Sequence, residues 1–106
     1  MALKEELRLF NQAMDWDQFH TPENLAKSIS IEAAELLECF QWNNEFDKED
    51  VLEELADVYS YAVMMADVLD VDLEEIALKK LEKTKAKYPV DKFKGISTKY
   101  NKLGEE

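Results

Sequence analysis

The feature of this sequence that most constrains its fold is the absence of glycine and proline from residues 23 to 88. The chain of 106 residues contains two prolines and two glycines, and all four lie outside that stretch, at Pro22, Pro89, Gly95 and Gly104. Tight turns depend on these residue types, whereas long runs without them favour helices. We therefore predict an all-α fold.

Capping residues mark where the helices begin. Thr21 precedes Pro22, which suits the first helical position, and Asp47 and Asp72 each have an acid three residues later. The helices predicted from these marks span about residues 3 to 14, 22 to 42, 48 to 69 and 73 to 88. Since the connections between the last three are short, we expect antiparallel neighbours in a helical bundle.

The length of the chain and its charge limit its class. We expect one domain over residues 1–94, followed by a basic, loosely ordered tail over 95–106. The 24 acidic against 13 basic residues give a net charge of −11, which disfavours nucleic acid and anionic lipid as partners. A phosphate-bearing ligand would therefore need a metal cation.

The remaining composition indicates a cytoplasmic protein. The single cysteine, Cys39, can form neither an internal disulfide nor a zinc thiolate cluster, which suits a reducing compartment. The first residues lack the features of a secretory signal, and no apolar run approaches the roughly 18 residues of a membrane span. We therefore expect neither export nor a membrane partner.

Helical periodicity separates ordinary surface acids from unusual ones. The predicted apolar stripe of the second helix comprises Leu25, Ile29, Ala33, Leu36 and Phe40, and that of the third comprises Leu52, Leu55, Tyr59, Ala62, Ala66 and Leu69. Glu32 falls at the edge of the first stripe with Glu35 beside it, while Glu38 points away from it. Glu54 lies on the flank of the second stripe, and Asp57 follows one turn later. Buried carboxylates need a compensating cation or hydrogen-bond donors.

The spacing of these acids suggests a cation. Glu32 and Glu35 are three residues apart, as are Glu54 and Asp57, so each pair shares one helix face. Either pair alone is explained by a solvated acidic face. However, the two pairs lie equally far from the middle of the predicted turn, so an antiparallel hairpin brings them level. Four converging carboxylates predict a divalent cation, and oxygen-only ligation suits Mg²⁺, or Mn²⁺ in its place.

Competing chemistries lack their residues. A di-iron carboxylate bundle needs Glu-x-x-His motifs, whereas His20, the only histidine, lies outside any such spacing. A calcium EF-hand loop needs a central glycine, which the acids around Asp70 lack. The sequence also contains no Gly-x-Ser-x-Gly elbow and no glycine-rich phosphate loop. Metal-assisted chemistry is the option left.

Four segments carry a resemblance to a known family. These are residues 15–25, which begin Asp-Trp-Asp-Gln-Phe-His-Thr-Pro, residues 31–42 with Glu-x-x-Glu and Phe-Gln-Trp, residues 53–58 with Glu-x-x-Asp, and Lys-Tyr-Pro at 87–89. Together they resemble the MazG-like all-α nucleoside triphosphate pyrophosphohydrolases, within them the branch that contains dCTP pyrophosphatase. The resemblance covers about residues 10 to 94. It implies a four-helix fold, a homodimer or dimer of dimers, and Mg²⁺-dependent hydrolysis of a nucleotide, with dCTP or a related pyrimidine dNTP expected, to its monophosphate and pyrophosphate.

The resemblance also implies roles for individual residues. The metal ligands would be Glu32, Glu35, Glu54 and Asp57, and either Glu35 or Glu38 would take the proton of the attacking water. The base pocket would contain Trp16, His20, Trp42 and Tyr61, with Asn24 as a donor to base or sugar. Lys80, Thr84 and Lys87 would contact phosphates. Core packing of the aromatics and a solvated lysine face are the alternative interpretations of the last two groups.

Two positions depart from the family pattern. Many relatives have an acid where Ile31 stands, which leaves the number of metal ions open, and often an asparagine where Thr84 stands.

Two other functions also stay open. One is a non-catalytic acidic helical module that binds a partner protein through its apolar faces. The other is a hydrolase for a different pyrophosphate-containing substrate, such as a nucleotide sugar or an alarmone.

Overall fold

The computed structural model of this protein describes residues 2–42 and 45–95. Its helices are α1 (Leu3–Ala13), α2 (Pro22–Glu38), α3 (Lys48–Val68), α4 (Leu73–Lys87) and α5 (Val90–Phe93), with a 3-10 turn at Asp17–Phe19. No β-strand occurs in these two ranges, so the all-α prediction is confirmed. The chain divides into two compact units, one spanning Met1–Leu73 and a second beginning at Glu74.

The helices begin where the capping residues predict. The Thr21 hydroxyl accepts the backbone N–H of Asn24 at 3.2 Å, with Pro22 as the first helical residue of α2. The Asp47 carboxylate accepts the backbone N–H of Glu49 at 2.9 Å at the start of α3. Such caps satisfy helix N–H groups that otherwise have no partner, and each stabilises its helix by about 1 kcal/mol.

The predicted end of α2, at residue 42, is wrong by four residues. The helix ends at Glu38, and the next residues form tighter turns in which Phe40 N–H donates to the Leu37 carbonyl at 3.0 Å and Gln41 N–H to the Glu38 carbonyl at 3.1 Å. This switch to i→i+3 hydrogen bonds is a common way for a helix to end. Because no glycine or proline accompanies it, the sequence carries no local signal of the change.

Two polar contacts fix α1 against α3. Arg8 donates from Nε and Nη2 to the two carboxylate oxygens of Asp67 at 3.1 and 2.6 Å, and Asn11 Nδ2 donates to the Met64 sulfur at 3.0 Å. The hydrogen bond and charge of Arg8 lower the pKa of Asp67. Asn11 follows Arg8 by three residues on α1, whereas its partner Met64 precedes Asp67 by three residues on α3. The two helices are therefore antiparallel in a defined register.

Both α1 and α3 end in the same C-terminal motif. At the end of α1, Asp15 has a φ of 56° and Trp16 N–H donates to the Asn11 carbonyl at 2.9 Å. At the end of α3, Asp70 has a φ of 57° and Val71 N–H donates to the Ala66 carbonyl at 2.9 Å. This is the Schellman arrangement, in which a left-handed residue stops the helix and usually is a glycine. Aspartate fills that position twice here.

Helices α2 and α3 pack against each other, but the predicted stripe of α3 is buried only in part. On α2 the stripe residue Leu25 is fully buried, as expected. On α3, Leu52 and Tyr59 are 51% and 55% exposed, whereas Val58 and Tyr61 on the neighbouring face are half-buried. The reason is that α3 turns toward α2 the face that carries Glu54 and Tyr61. On its other apolar face Ala66 is buried, while Leu52, Leu55, Tyr59 and Leu69 are left exposed within one chain.

The second unit contains α4 and α5. Helix α4 begins directly after Asp72, as predicted, and α5 is a single turn that follows Pro89. The rings of Tyr88 and Phe93 meet edge to face at 5.2 Å, and Phe93 is buried. Of the predicted tail, Gly95 alone lies within the described residues, and the expected domain boundary at residue 94 stays a prediction.

The described helices do not include one that is both long enough and apolar enough to cross a lipid bilayer.

Candidate metal centre

Three carboxylates from two helices converge in the first unit. Glu32 of α2 and Glu54 and Asp57 of α3 each offer an oxygen that lies within 4.8 Å of the other two. Because α2 and α3 are antiparallel neighbours, pairs that are equally distant from the turn come level with one another. The symmetry of the hairpin predicts that four carboxylates converge, and three of them do so within this distance.

Two of the oxygens in this cluster are buried without a partner. Glu32 Oε2 and Glu54 Oε2 are inaccessible to solvent, and no donor among the described residues hydrogen-bonds to them. A buried acceptor without a donor is unfavourable, and a buried charge more so, unless a cation compensates it. This pair of atoms is the main structural reason to expect a ligand here.

The raised pKa values of two acids in the cluster also favour a bound cation. The pKa of Glu32 is raised to about 7, first by burial, then by the hydrogen bond and negative charge of Glu35, and then by the charges of Asp57 and Glu54. Burial is also the largest cause that raises the pKa of Glu54, followed by its contact with Glu35. Without a cation, these side chains are therefore held toward their protonated forms.

Glu35 and Glu38 lie in different surroundings. Glu35 is exposed and is not one of the three acids that converge within 4.8 Å, but it is close enough to hydrogen-bond with both Glu32 and Glu54. Glu38 is the last residue of α2 and is exposed. The structure thus places Glu35 beside the cluster and Glu38 one turn beyond it.

Trp16, His20 and Asn24 lie in and around the connection between α1 and α2. The Trp16 ring packs edge to face on Phe10 with centroids 5.4 Å apart, and 40% of the residue is exposed. His20 is half-buried after the 3-10 turn. Asn24 Nδ2 donates to the Phe19 carbonyl at 2.9 Å, so the amide nitrogen of Asn24 holds this connection in place.

The other predicted binding residues are spread over the chain. Tyr61 is half-buried on α3, one turn after Asp57, while Trp42 is 85% exposed beyond the end of α2. Lys80, Thr84 and Lys87 are exposed on α4 in the second unit, where the Thr84 hydroxyl donates to the Lys80 carbonyl at 3.1 Å. Their roles in binding stay predictions.

One buried polar residue was missed by the sequence analysis. Asn11 is 6% exposed, and its side chain contacts Met64. The signal that could have found it is its position on α1, where Leu7 lies four residues before it and Met14 three residues after it. A polar residue in such an apolar row needs a hydrogen-bond partner on the helix it packs against.

The donor set of the cluster fits a hard divalent cation. Carboxylate oxygens are the ligands that such cations prefer, and no histidine or cysteine belongs to the group. Two of the three ligand residues carry an oxygen that no described group satisfies. The residues of this cluster could therefore hold a divalent metal ion.

Comparison with known proteins identifies the class to which this fold and site belong. The MazG-like family model matches residues 27–103, so the chain belongs to the MazG-like family. This confirms the resemblance seen in the motifs. Relatives named dCTP pyrophosphatase 1, from Mus musculus and from Homo sapiens, are each 34% identical over 104 residues, which is 89% of this chain and 61% of theirs. The chain thus spans about three fifths of the length of these curated relatives.

A solved structure is also similar. The crystal structure of a pyrophosphatase from Archaeoglobus fulgidus shares 44% sequence identity with this chain and has a TM-score of 0.73. The match covers 80% of this chain and 87% of that one. The two proteins are therefore similar in sequence as well as in fold.

Proposed function

We propose that this protein is a Mg²⁺-dependent nucleoside triphosphate pyrophosphohydrolase that converts dCTP or a related pyrimidine dNTP to its monophosphate and pyrophosphate. The observation that carries the proposal is the pair of buried, unpartnered oxygens of Glu32 and Glu54 in the acidic cluster. The names of the relatives, dCTP pyrophosphatase 1 and pyrophosphatase, support the substrate and the reaction. Removal of unwanted nucleotides from the cellular pool, in the cytoplasm, is the role we expect.

In this proposal the cluster holds the metal. Glu32, Glu54 and Asp57 would bind the cation, and Glu35 would complete the set from its position beside Glu32 and Glu54. Bound Mg²⁺ would offset the charge of the triphosphate and fix the attacking water near the α-phosphorus. With a chain charge of −11, binding of a triphosphate without such a cation would be opposed by repulsion.

A carboxylate would accept the proton of the attacking water. The water oxygen bonds to the α-phosphorus, the bond from that phosphorus to the oxygen bridging to the β-phosphorus breaks, and pyrophosphate leaves. Glu35 is the proposed base because it is exposed beside the cluster, within reach of a water bound there. Glu38, one turn farther along α2, is the second candidate.

Aromatic residues would recognise the nucleobase. Trp16, His20 and Tyr61 are proposed to form the base pocket, because flat rings stack on a base and polar edges select it. Trp42 and Asn24 are further candidates. Lys80, Thr84 and Lys87 of the second unit are proposed phosphate contacts.

We also propose that the protein assembles as a homodimer or a dimer of dimers. Leu52 and Leu55 on the open face of α3 are 51% and 50% exposed, and Leu37 of α2 is 71% exposed. Apolar surface of this kind on a small domain commonly marks a protein interface. Light scattering coupled to size-exclusion chromatography measures the mass directly, and a monomer at micromolar concentration would contradict this part of the proposal.

The test of activity uses variants that remove charge without changing shape. Purified protein is incubated with each common dNTP and NTP, with Mg²⁺ or with chelator, and the products are resolved by ion-exchange chromatography. We expect monophosphate and pyrophosphate from the wild type in Mg²⁺ only. Glu54→Gln and Asp57→Asn should lose this turnover, whereas the control Glu53→Gln, an exposed neighbour outside the cluster, should retain it.

The alternatives predict other outcomes. A non-catalytic module that binds a partner protein would show no turnover, and its fold and partner affinity would survive the Glu54 and Asp57 substitutions. A hydrolase for another pyrophosphate-containing substrate would ignore the common nucleotides but cleave a nucleotide sugar or an alarmone in the same assay. Turnover that persists in chelator would contradict the proposed metal centre.

A further inference from the structure

The side chain of Asn11 is a buried contact between α1 and α3. The residue is 6% exposed, and Nδ2 donates to the sulfur of Met64 at 3.0 Å. A thioether is a weak acceptor, so this contact adds little energy and acts mainly by fixing position. Together with the Arg8–Asp67 pair, it fixes which residue of α3 lies beside the last turn of α1.

The last turn of α1 in turn holds Trp16. The Asn11 carbonyl accepts the backbone N–H of Trp16 at 2.9 Å, and the ring of Trp16 packs on Phe10, the residue before Asn11. This is the apolar contact that usually accompanies a Schellman end. The backbone and the ring of Trp16 are therefore both tied to the helix turn that Asn11 fixes on α3.

The connection beyond Trp16 is also held by hydrogen bonds. Gln18 Nε2 donates to the Asp15 carbonyl and to its carboxylate, each at 3.1 Å, and Phe19 N–H donates to the Trp16 carbonyl at 2.9 Å. Asn24 Nδ2 donates to the Phe19 carbonyl from α2. Trp16 thus lies in a short segment anchored at both ends, so a shift of α1 at Asn11 moves it directly.

The helix register connects this segment to the acidic cluster. Asn11 lies opposite Met64. Because the two helices are antiparallel, Met14, three residues after Asn11 and two before Trp16, lies level with Tyr61, three residues before Met64. Tyr61 follows Asp57 by one turn of α3, and Met64 follows by about one turn more. From Asp57 to Met64 the distance along the helix axis is about 10 Å at 1.5 Å per residue.

We propose that Asn11 is a positioning residue that sets where the Trp16 ring lies relative to Tyr61 and thereby determines affinity for the nucleobase. The inference rests on the proposed function, in which Trp16 and Tyr61 contact the base. Asn11 does not touch the substrate in this proposal. Its loss should weaken binding of the nucleotide while leaving the carboxylates that act on the phosphates in place.

The kinetic test compares two ways of loosening α1 from α3. Asn11→Leu keeps the size of the side chain and removes the donor, and Met64→Leu removes the acceptor. We expect each to raise KM for the preferred dNTP about tenfold, with kcat within twofold of the wild type. The control Asp67→Asn removes the charge opposite Arg8, one turn away, but keeps an amide oxygen that accepts from Arg8, so α1 stays in register and KM should stay within twofold.

The spectroscopic test needs no turnover. The protein contains two tryptophans, so a Trp42→Phe background reports on Trp16 alone. In that background we expect Asn11→Leu to weaken the near-ultraviolet circular dichroism of Trp16 and to increase its quenching by acrylamide, relative to the background itself. Asp67→Asn should change neither signal.

The possible results separate this proposal from the one on which it rests. If no nucleotide is hydrolysed by the wild type, the proposed function fails, while the Trp16 signals still report whether Asn11 positions the ring. If Asn11→Leu and Met64→Leu leave KM unchanged, or if Asp67→Asn raises KM equally, the positioning role is overturned. Should Asn11→Leu fail to fold, Met64→Leu alone decides.

Discussion

The acidic cluster should make the metal-free protein less stable as pH rises, and Glu32→Gln should remove part of that loss. In the folded protein the pKa of Glu32 is about 7, above the ordinary glutamate value of 4.5. A raised folded pKa means that the stabilising contribution of this group is complete below pH 4.5 and is lost as pH rises through about 7. Glutamine is a neutral stand-in for the protonated acid, so the variant keeps that contribution at every pH.

The size of the effect follows from the two pKa values. The interval from 4.5 to about 7, at about 1.36 kcal/mol per pH unit for one proton, sets a ceiling of about 3 kcal/mol. Glu32 is half-buried, so solvent screening reduces this to about 1 to 2 kcal/mol. For a domain of this length, each 1 kcal/mol shifts the melting temperature by about 4 to 8 °C.

The assay is thermal unfolding of chelator-treated protein at pH 5 and at pH 8. We expect Glu32→Gln and the wild type to melt at similar temperatures at pH 5, and the variant to melt higher at pH 8. The control Glu53→Gln, whose side chain is exposed, should track the wild type at both values. An equal difference between Glu32→Gln and the wild type at pH 5 and pH 8 would refute the reasoning, because it would show that the effect is not ionisation.

Three further predictions concern the metal, a cap and a helix end. Mg²⁺ at a hundredfold excess over its Kd should stabilise the wild type by about 2.7 kcal/mol in thermal unfolding, and Glu54→Gln should abolish most of that gain. Thr21→Ala removes the acceptor for Asn24 N–H and should cost about 1 kcal/mol in urea unfolding; no loss would mean that the cap is not formed in solution. Asp70→Gly relieves a left-handed backbone at the end of α3 and should raise stability by up to about 1 kcal/mol; a decrease would indicate that the aspartate side chain has a role there.

Those parts of the fold that depend on local chemistry could be predicted from the sequence. Thr21 with Pro22, and Asp47, mark helix starts because a capping side chain acts on the backbone within three residues of itself. The end of α2 could not be predicted, because the helix ends by a change of hydrogen-bond pattern at Cys39 and Phe40, and neither residue type is typical of a helix end. Helix α5 is four residues long, too short for a periodic pattern to reveal it.

The part of the candidate site that depends only on residue spacing along helices could be predicted. Spacing and the symmetry of the hairpin were enough to group Glu32, Glu54 and Asp57. The face of α3 that packs on α2 was not, because α3 carries apolar residues on two faces and periodicity alone does not choose between them. The contact of Asn11 could not be predicted for a related reason, since its partner Met64 is 53 residues away in the sequence.

The open apolar surface has a consequence for how natural variants of this protein should be interpreted. Among the described residues, Leu25, Ala66 and Phe93 are the hydrophobic side chains that one chain buries, while large ones such as Leu37 and Leu52 are left exposed. In the proposed assembly those exposed positions become interior. The usual rule that accessible sites tolerate substitution then reverses, and a change such as Leu52→Asp should be as damaging as one in the core.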